Sequence, residues 1–244
     1  MLLAIDIGNT NITCGIFRGD RILKRFTIPT QDYGLEKIRK LLGRIDIRAS
    51  IICSVVPRMT GILAQGLKKL MGKRPYIIGK DVKVPIENLY RNPKQVGQDR
   101  LVNAYAGVIL YGAPLVVVDF GTAVTFDIIS GKKEYLGGMI LPGLKISLDA
   151  LAERTALLPK ISLRAPKEFI GRDTKNSIRS GLVYGFASLT DELVARIRKK
   201  IGRKAKVIGT GGDINLISGY CKRIDKIDRD LTLKGLNFIA QGII

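Results

Sequence analysis

Residues 2–17 read LLAIDIGNTNITCGIF, and residues 117–129 read VVDFGTAVTFDII. Each stretch is an apolar run ending in an acid, Asp6 or Asp119, followed two residues on by a glycine, Gly8 or Gly121. Small polar residues then precede a second apolar run. A strand built only for packing has no use for a carboxylate at its end. The pattern predicts a β-hairpin with an acid near its turn, once in each half of the chain. Asp119 follows Asp6 by 113 residues, a spacing far longer than a solenoid repeat. Two similar domains are therefore expected, residues 1–113 and 114–244, meeting near Gly112–Pro114.

Such a turn is suited to anions. Glycine lets a ligand approach the backbone, and successive N–H groups make a concavity for phosphate. Asn9, Thr10 and Thr122 add side-chain donors. An acid in the same turn repels phosphate unless a cation lies between them, so Asp6 and Asp119 read as direct or water-mediated cation ligands. In the competing reading each Asp only stabilises its own turn. Two matched hairpins favour a nucleotide. A third glycine cluster, AKVIGTGGDI at residues 205–214, reads as a strand entering a turn and a helix. Neither this cluster nor GLKKLMGKR at residues 66–74 has the spacing of a dinucleotide fingerprint or a P-loop.

Composition narrows the chemistry. With 46% hydrophobic and 25% charged residues in 244, the chain has the makings of a globular core rather than a disordered one. There is no histidine, which excludes Ser-His-Asp catalysis, His-ligated metals and imidazole proton transfer. A general base must then be a carboxylate, or less often Lys, Tyr or Cys. Cys14, Cys53 and Cys221 form neither a disulfide framework nor a zinc signature, and read as small buried residues in a reducing compartment. The uncharged run Leu101–Val118 contains Asn103, two glycines and Pro114, so a helix, a turn and a strand fit it better than a membrane span. A cytoplasmic protein is expected. The net charge of +20 favours anionic partners. Its densest tract, RIRKKIGRKAK at residues 196–206, lacks the aromatics that single-strand binders stack on. A solvated face and an anion-binding surface both stay open there.

The segment GQDRLVNAYAGVILYG puts Asp99 at a helix start, where it serves as an N-cap or as a base. Arg100 beside it can grip a carboxylate in a bidentate manner.

Taken together, DIGNTNI, GQDRLVNAYA from Gly97, DFGTAVTFD from Asp119 and GGMILPGLKISLDAL from Gly137 resemble type III pantothenate kinase. TALLP at 155–159, GLVYG at 181–185 and DLTLKGL at 230–236 extend the resemblance over nearly the whole chain. That family belongs to the actin, sugar-kinase and chaperone-ATPase superfamily. The resemblance implies two actin-like (ribonuclease H-like) α/β domains, mixed sheets flanked by helices, with an ATP cleft between them. It also implies phosphorylation of pantothenate in the first step of coenzyme A synthesis.

By the same resemblance Asp6, Ile7, Gly8, Asn9, Thr10, Asn11, Ile12 and Thr13 hold ATP phosphates, with Asp6 facing Mg²⁺ through water. Thr122 contacts ATP, and Asp119 ligates a monovalent cation, K⁺ or NH₄⁺. Gly97, Gln98, Asp99 and Arg100 meet pantothenate, with Asp99 as the base. Tyr90 and Thr174 complete the pocket, Thr174 in its own or in a partner subunit of a homodimer. Two rivals stand beside this reading. One is another small-molecule kinase of the superfamily. The other is a related transcriptional activator or nucleic-acid-binding protein, whose mark is steeply salt-dependent DNA affinity.

Overall fold

The structure, a computed structural model, describes residues 1–43 and 45–243. In chain order the elements are β1 (Leu2–Ile7), β2 (Asn11–Arg18), β3 (Arg21–Pro29), α1 (Leu35–Leu42), β4 (Ala49–Ser54), α2 (Pro57–Met71) and β5 (Tyr76–Ile77). Then come α3 (Gln98–Tyr111), β6 (Leu115–Phe120), β7 (Ala123–Ile129), β8 (Tyr135–Pro142), α4 (Leu144–Arg154) and α5 (Thr174–Ile201). The chain closes with β9 (Lys206–Thr210), α6 (Ile214–Ile217), β10 (Lys226–Ile227) and α7 (Leu231–Gln241).

The two sheets have one topology written twice. The first runs β3-β2-β1-β4-β5 and the second β8-β7-β6-β9-β10. In each, the first three strands in sequence pair antiparallel, the fourth joins the central strand in parallel, and the fifth joins the fourth in parallel. The central strands, LLAIDI and LVVVDF, bury nearly every side chain, as continuous apolar runs covered on both faces do. Their one half-buried residue near the C-terminal end is the acid, Asp6 or Asp119.

The units are not two consecutive halves. The first comprises Met1–Ile86, Arg91–Ile109 and the segment from Asp230 onward; the second comprises Glu87–Tyr90 and Leu110–Arg229. The chain thus passes to the second unit in the last turn of α3, just before the Gly112–Pro114 boundary read from sequence. It returns at Asp230, which the 1–113/114–244 division did not foresee. The return has a packing cause. Leu231, Leu233, Leu236, Ile239 and Ala240 of α7 are buried, and Gly235 lies so close to α3 that a Cβ there would come within 2.7 Å of Val102.

Local signals set the helix ends. Pro57 opens α2, and Gly72 closes it in the left-handed conformation at φ 71°. Asp173 caps α5 by accepting the Asn176 amide at 2.8 Å, and Gly202 returns its N–H to Arg198 O. The basic tract at the end of α5 is partly structural. Arg198 Nε donates to Ala205 O at 2.8 Å and its guanidinium pairs with Asp225, closing the loop into β9. Lys199, Lys200, Arg203 and Lys204 are exposed.

Candidate active site

In the first unit, β1 and β2 meet at the three-residue connection Gly8–Thr10. Gly8 N donates to Asn11 O at 2.9 Å, closing the turn. Thr30, nearly buried, pins it from the side: its hydroxyl donates to Gly8 O at 2.8 Å and its amide to Thr10 O at 2.9 Å. No signal in the sequence around Thr30 announced this role. Asn9, Thr10 and Asn11 are exposed, whereas Ile7 and Ile12 are core. The side chains of Ile7 and Ile12 hold the strands, so only their backbone is presented to the turn. Asp6 stands opposite Thr13 on β2 and Cys53 on β4.

Asp99 lies in the first turn of α3, half-buried, and its Oδ1 accepts the Arg100 amide at 2.9 Å. Burial pushes its carboxyl above the usual range; the Arg100 amide and the Arg100 guanidinium pull the other way but do not win. Gly97 makes room for it, since a Cβ there would come within 2.5 Å of Asp99 Oδ1. Gln98 packs on Gly79, and Arg100 is 92% buried as the complement of its 8% exposure.

Both acids act on one thiol. Cys53 is fully buried, and its thiol is pushed well up, first by burial and then by the negative charges of Asp6 and Asp99. The first hairpin and the start of α3 are therefore within electrostatic reach of one sulfur atom. Cys14 is pushed up to about 12 by burial and by Asp6. Cys221 also rises to about 12, through burial and Asp191. All three thiols should be inert to a thiol-disulfide reagent in the native protein at pH 8 and react fully after denaturation; rapid native labelling of Cys53 would show this neighbourhood to be open.

In the second unit, β6 and β7 join through Gly121 and Thr122. Asp119 pairs with Thr125 on β7 and with Thr210 on β9. Gly211, at φ 98°, turns the chain away from β9 where any side chain would strike Asp119 Oδ1 and the Phe120 backbone. A Cβ on Gly121 would lie 3.3 Å from the same oxygen. Two glycines therefore leave a cradle around one carboxylate oxygen. The Asp213 amide donates to Phe120 O at 2.9 Å, which ties the GTGGD turn to the hairpin. Thr122 is exposed.

Tyr90 and Thr174 sit on other elements. Tyr90 is half-buried, its amide donating to Asn88 Oδ1 at 3.0 Å and its ring lying over Gly137. Thr174 is the exposed first residue of α5, and the capping role falls to Asp173.

No group of three or more His, Cys, Asp or Glu suited to a metal occurs among the described residues. Single carboxylates fit a cation that arrives with its own phosphate or water ligands. Among the described residues no helix is long and apolar enough to cross a membrane.

Two duplicated mixed sheets, each with a glycine turn beside an acid, define an actin-like fold. Among solved structures a Baf family chain from Campylobacter jejuni matches at TM-score 0.61 with 22% identity, covering 98% of each chain. The activator of 2-hydroxyisocaproyl-CoA dehydratase from Clostridium difficile matches at TM-score 0.57 with 14% identity, covering 98% of this chain and 92% of its own. These likenesses concern the fold alone. The sequence is more specific: residues 2–196 match the model of the type III pantothenate kinase family. The type III pantothenate kinase of Agathobacter rectalis is 42% identical over 98% of this chain and 96% of its own. The chain belongs to the type III pantothenate kinase family.

Proposed function

We propose that this chain transfers the γ-phosphoryl group of ATP to the primary hydroxyl of pantothenate, forming 4′-phosphopantothenate and ADP in the first step of coenzyme A synthesis. The observation that carries the reading is that Asp6, paired beside Cys53, and Asp99, in the first turn of α3, both act electrostatically on the Cys53 thiol, with burial raising the proton affinity of Asp99. The hydroxyl oxygen forms a bond to γ-phosphorus as the bond to the β–γ bridging oxygen breaks, and the hydroxyl proton passes to Asp99. Such transfer depends on positioning and charge neutralisation more than on covalent help from the protein.

The first turn, residues Asp6 to Thr13, takes the phosphates on its backbone N–H groups, with Asn9 and Thr10 adding donors. Thr122 contacts ATP from the second hairpin. Mg²⁺ arriving with ATP would neutralise phosphate charge, and Asp6 would hold it through water. Asp119 in its two-glycine cradle would hold a monovalent cation, K⁺ or NH₄⁺, through its carboxylate. Gly97 to Arg100 receives pantothenate, with Arg100 gripping its carboxylate, and the family resemblance adds Tyr90 to the pantothenate contacts. Pantothenate and ATP are cytoplasmic compounds, and the three free cysteines suit that reducing compartment.

A homodimer is part of this reading. The loop before Thr174 exposes Leu157 at 91%, Phe169 at 67% and Ile170 at 74%, apolar surface that a monomer has no reason to display. Covered by a second copy, that loop presents Thr174 to the partner's pantothenate site. Phe169→Glu with Ile170→Glu should convert a dimer to a monomer in sedimentation velocity and raise the pantothenate KM. A variant that stays dimeric, or a wild type that is monomeric at micromolar concentration, removes this element.

The function is tested by pantothenate-dependent release of ADP in potassium and in sodium buffer. Release that requires pantothenate and rises with potassium is expected. ATP hydrolysis indifferent to pantothenate would sink the proposal.

A further inference from the structure

Asp127 closes the DFGTAVTFD stretch, and no role has yet been given to it. It is fully buried, and an ionised carboxylate with nothing to hold it there would cost several kcal/mol. The Tyr135 hydroxyl donates to Asp127 Oδ1 at 2.8 Å, and the Thr125 hydroxyl to Oδ2 at 3.2 Å. Tyr135 is itself fully buried, although it is the first residue of β8. The β7–β8 register shifts between Ile128 and Ile129, so that Tyr135 pairs with Ile129 while its side chain reaches back to Asp127. The side-chain bond therefore clamps the irregular end of the sheet.

The Tyr135 backbone faces a different neighbour. Its N–H donates to Glu87 O at 2.7 Å, and its carbonyl accepts the Leu89 amide at 2.9 Å. Those two bonds attach Glu87–Tyr90 to the second unit, although the chain on either side of these four residues belongs to the first. Tyr90 ends the strap, its ring packed over Gly137, two residues beyond Tyr135. Gly137, at φ 131°, supplies the flat surface on which the ring lies.

We propose that Asp127 and Tyr135 are positioning residues that fix Tyr90 for the acceptor substrate. The chain of contacts runs from the Asp127 carboxylate to the Tyr135 hydroxyl, through the Tyr135 backbone to the strap, and along it to the Tyr90 ring. The inference rests on the reading that Tyr90 touches pantothenate. It adds residues that touch no substrate and act on one KM only.

The test uses full-length Tyr135→Phe, Asp127→Asn, Tyr90→Ala and the double variant Tyr90→Ala/Tyr135→Phe. Tyr135→Phe keeps the ring and loses one hydrogen bond, so the pantothenate KM should rise about threefold to tenfold, with the ATP KM unchanged. Asp127→Asn keeps an oxygen acceptor and should lose less. In the Tyr90→Ala background Tyr135→Phe should add nothing, because its target is gone. Amide exchange at Leu89 should speed up in Tyr135→Phe, a readout that needs no turnover. Equal changes in both KM values, an effect of Tyr135→Phe that persists without Tyr90, or unchanged exchange at Leu89 would each overturn the relay. If Tyr90→Ala leaves the pantothenate KM alone, the Tyr90 contact and the relay fall together while turnover on pantothenate keeps the kinase reading. A wild type that does not phosphorylate pantothenate fails that reading instead, and exchange at Leu89 still reports the clamp.

Discussion

Asp99→Asn is expected to lower kcat by about 10²–10⁴-fold, the usual contribution of a positioned general base, while ATP binding by calorimetry stays near that of wild type. Asn keeps the shape and an acceptor for the Arg100 amide, so a residue serving only as a helix cap would lose little. The pH dependence gives a second reading. A base must be ionised to accept the hydroxyl proton, and burial raises the Asp99 carboxyl above 3.8. Wild-type kcat/KM should therefore fall as pH drops through that raised value, and the limb should vanish in the variant. Stability follows the same sign. An acid whose folded pKa lies above its unfolded one destabilises the fold as pH rises through it. At neutral pH Asp99→Asn should melt no lower than wild type. Lost turnover with retained or raised Tm separates a missing base from a misfolded protein.

Asp6→Ala and Asp119→Ala should fail in different ways. Removing an acid from the outer shell of a phosphate-bound cation costs about 10–100-fold in affinity or activity. For Asp6 that loss should persist at every Mg²⁺ concentration, because the charge beside Thr13 and Cys53 is gone. The Cys53 thiol, relieved of one negative neighbour, should also titrate lower than in wild type. Asp119→Ala should abolish the difference between potassium and sodium while leaving a basal rate. Full potassium activation in Asp119→Ala would make the second hairpin a structural copy of the first.

Much of this site is legible in the sequence because its signals are local. An apolar run broken by Asp-x-Gly is enough to find both hairpins, and β1–β2 and β6–β7 turn at the residues so marked. Asp99 falls at a helix start for the same reason. What escaped the reading depends on partners distant in sequence. Cys53 is an ordinary apolar residue until the parallel pairing of β4 with β1 sets it beside Asp6. Thr30 gains its role only because β3 returns beside the first turn. α7 looks like a natural end for the second half, and only the buried face it packs in the first unit reveals otherwise. The strand-end bond between Asp127 and Tyr135 spans a register shift that no alternation of residues announces. α5 opens at Thr174 in polar turns that carry little apolar signal.

The central claim is that one chain joins a phosphate turn to a carboxylate base for a single acceptor. It is tested most directly by mass spectrometry of the products formed from pantothenate, ATP and Mg²⁺ in potassium buffer by wild type and by Asp99→Asn. The account predicts phosphopantothenate and ADP in equal amounts from wild type, and both formed about 10²–10⁴-fold more slowly by the variant. Phosphopantothenate formed at the wild-type rate by Asp99→Asn would contradict it, as would ADP formed by wild type with no phosphorylated pantothenate.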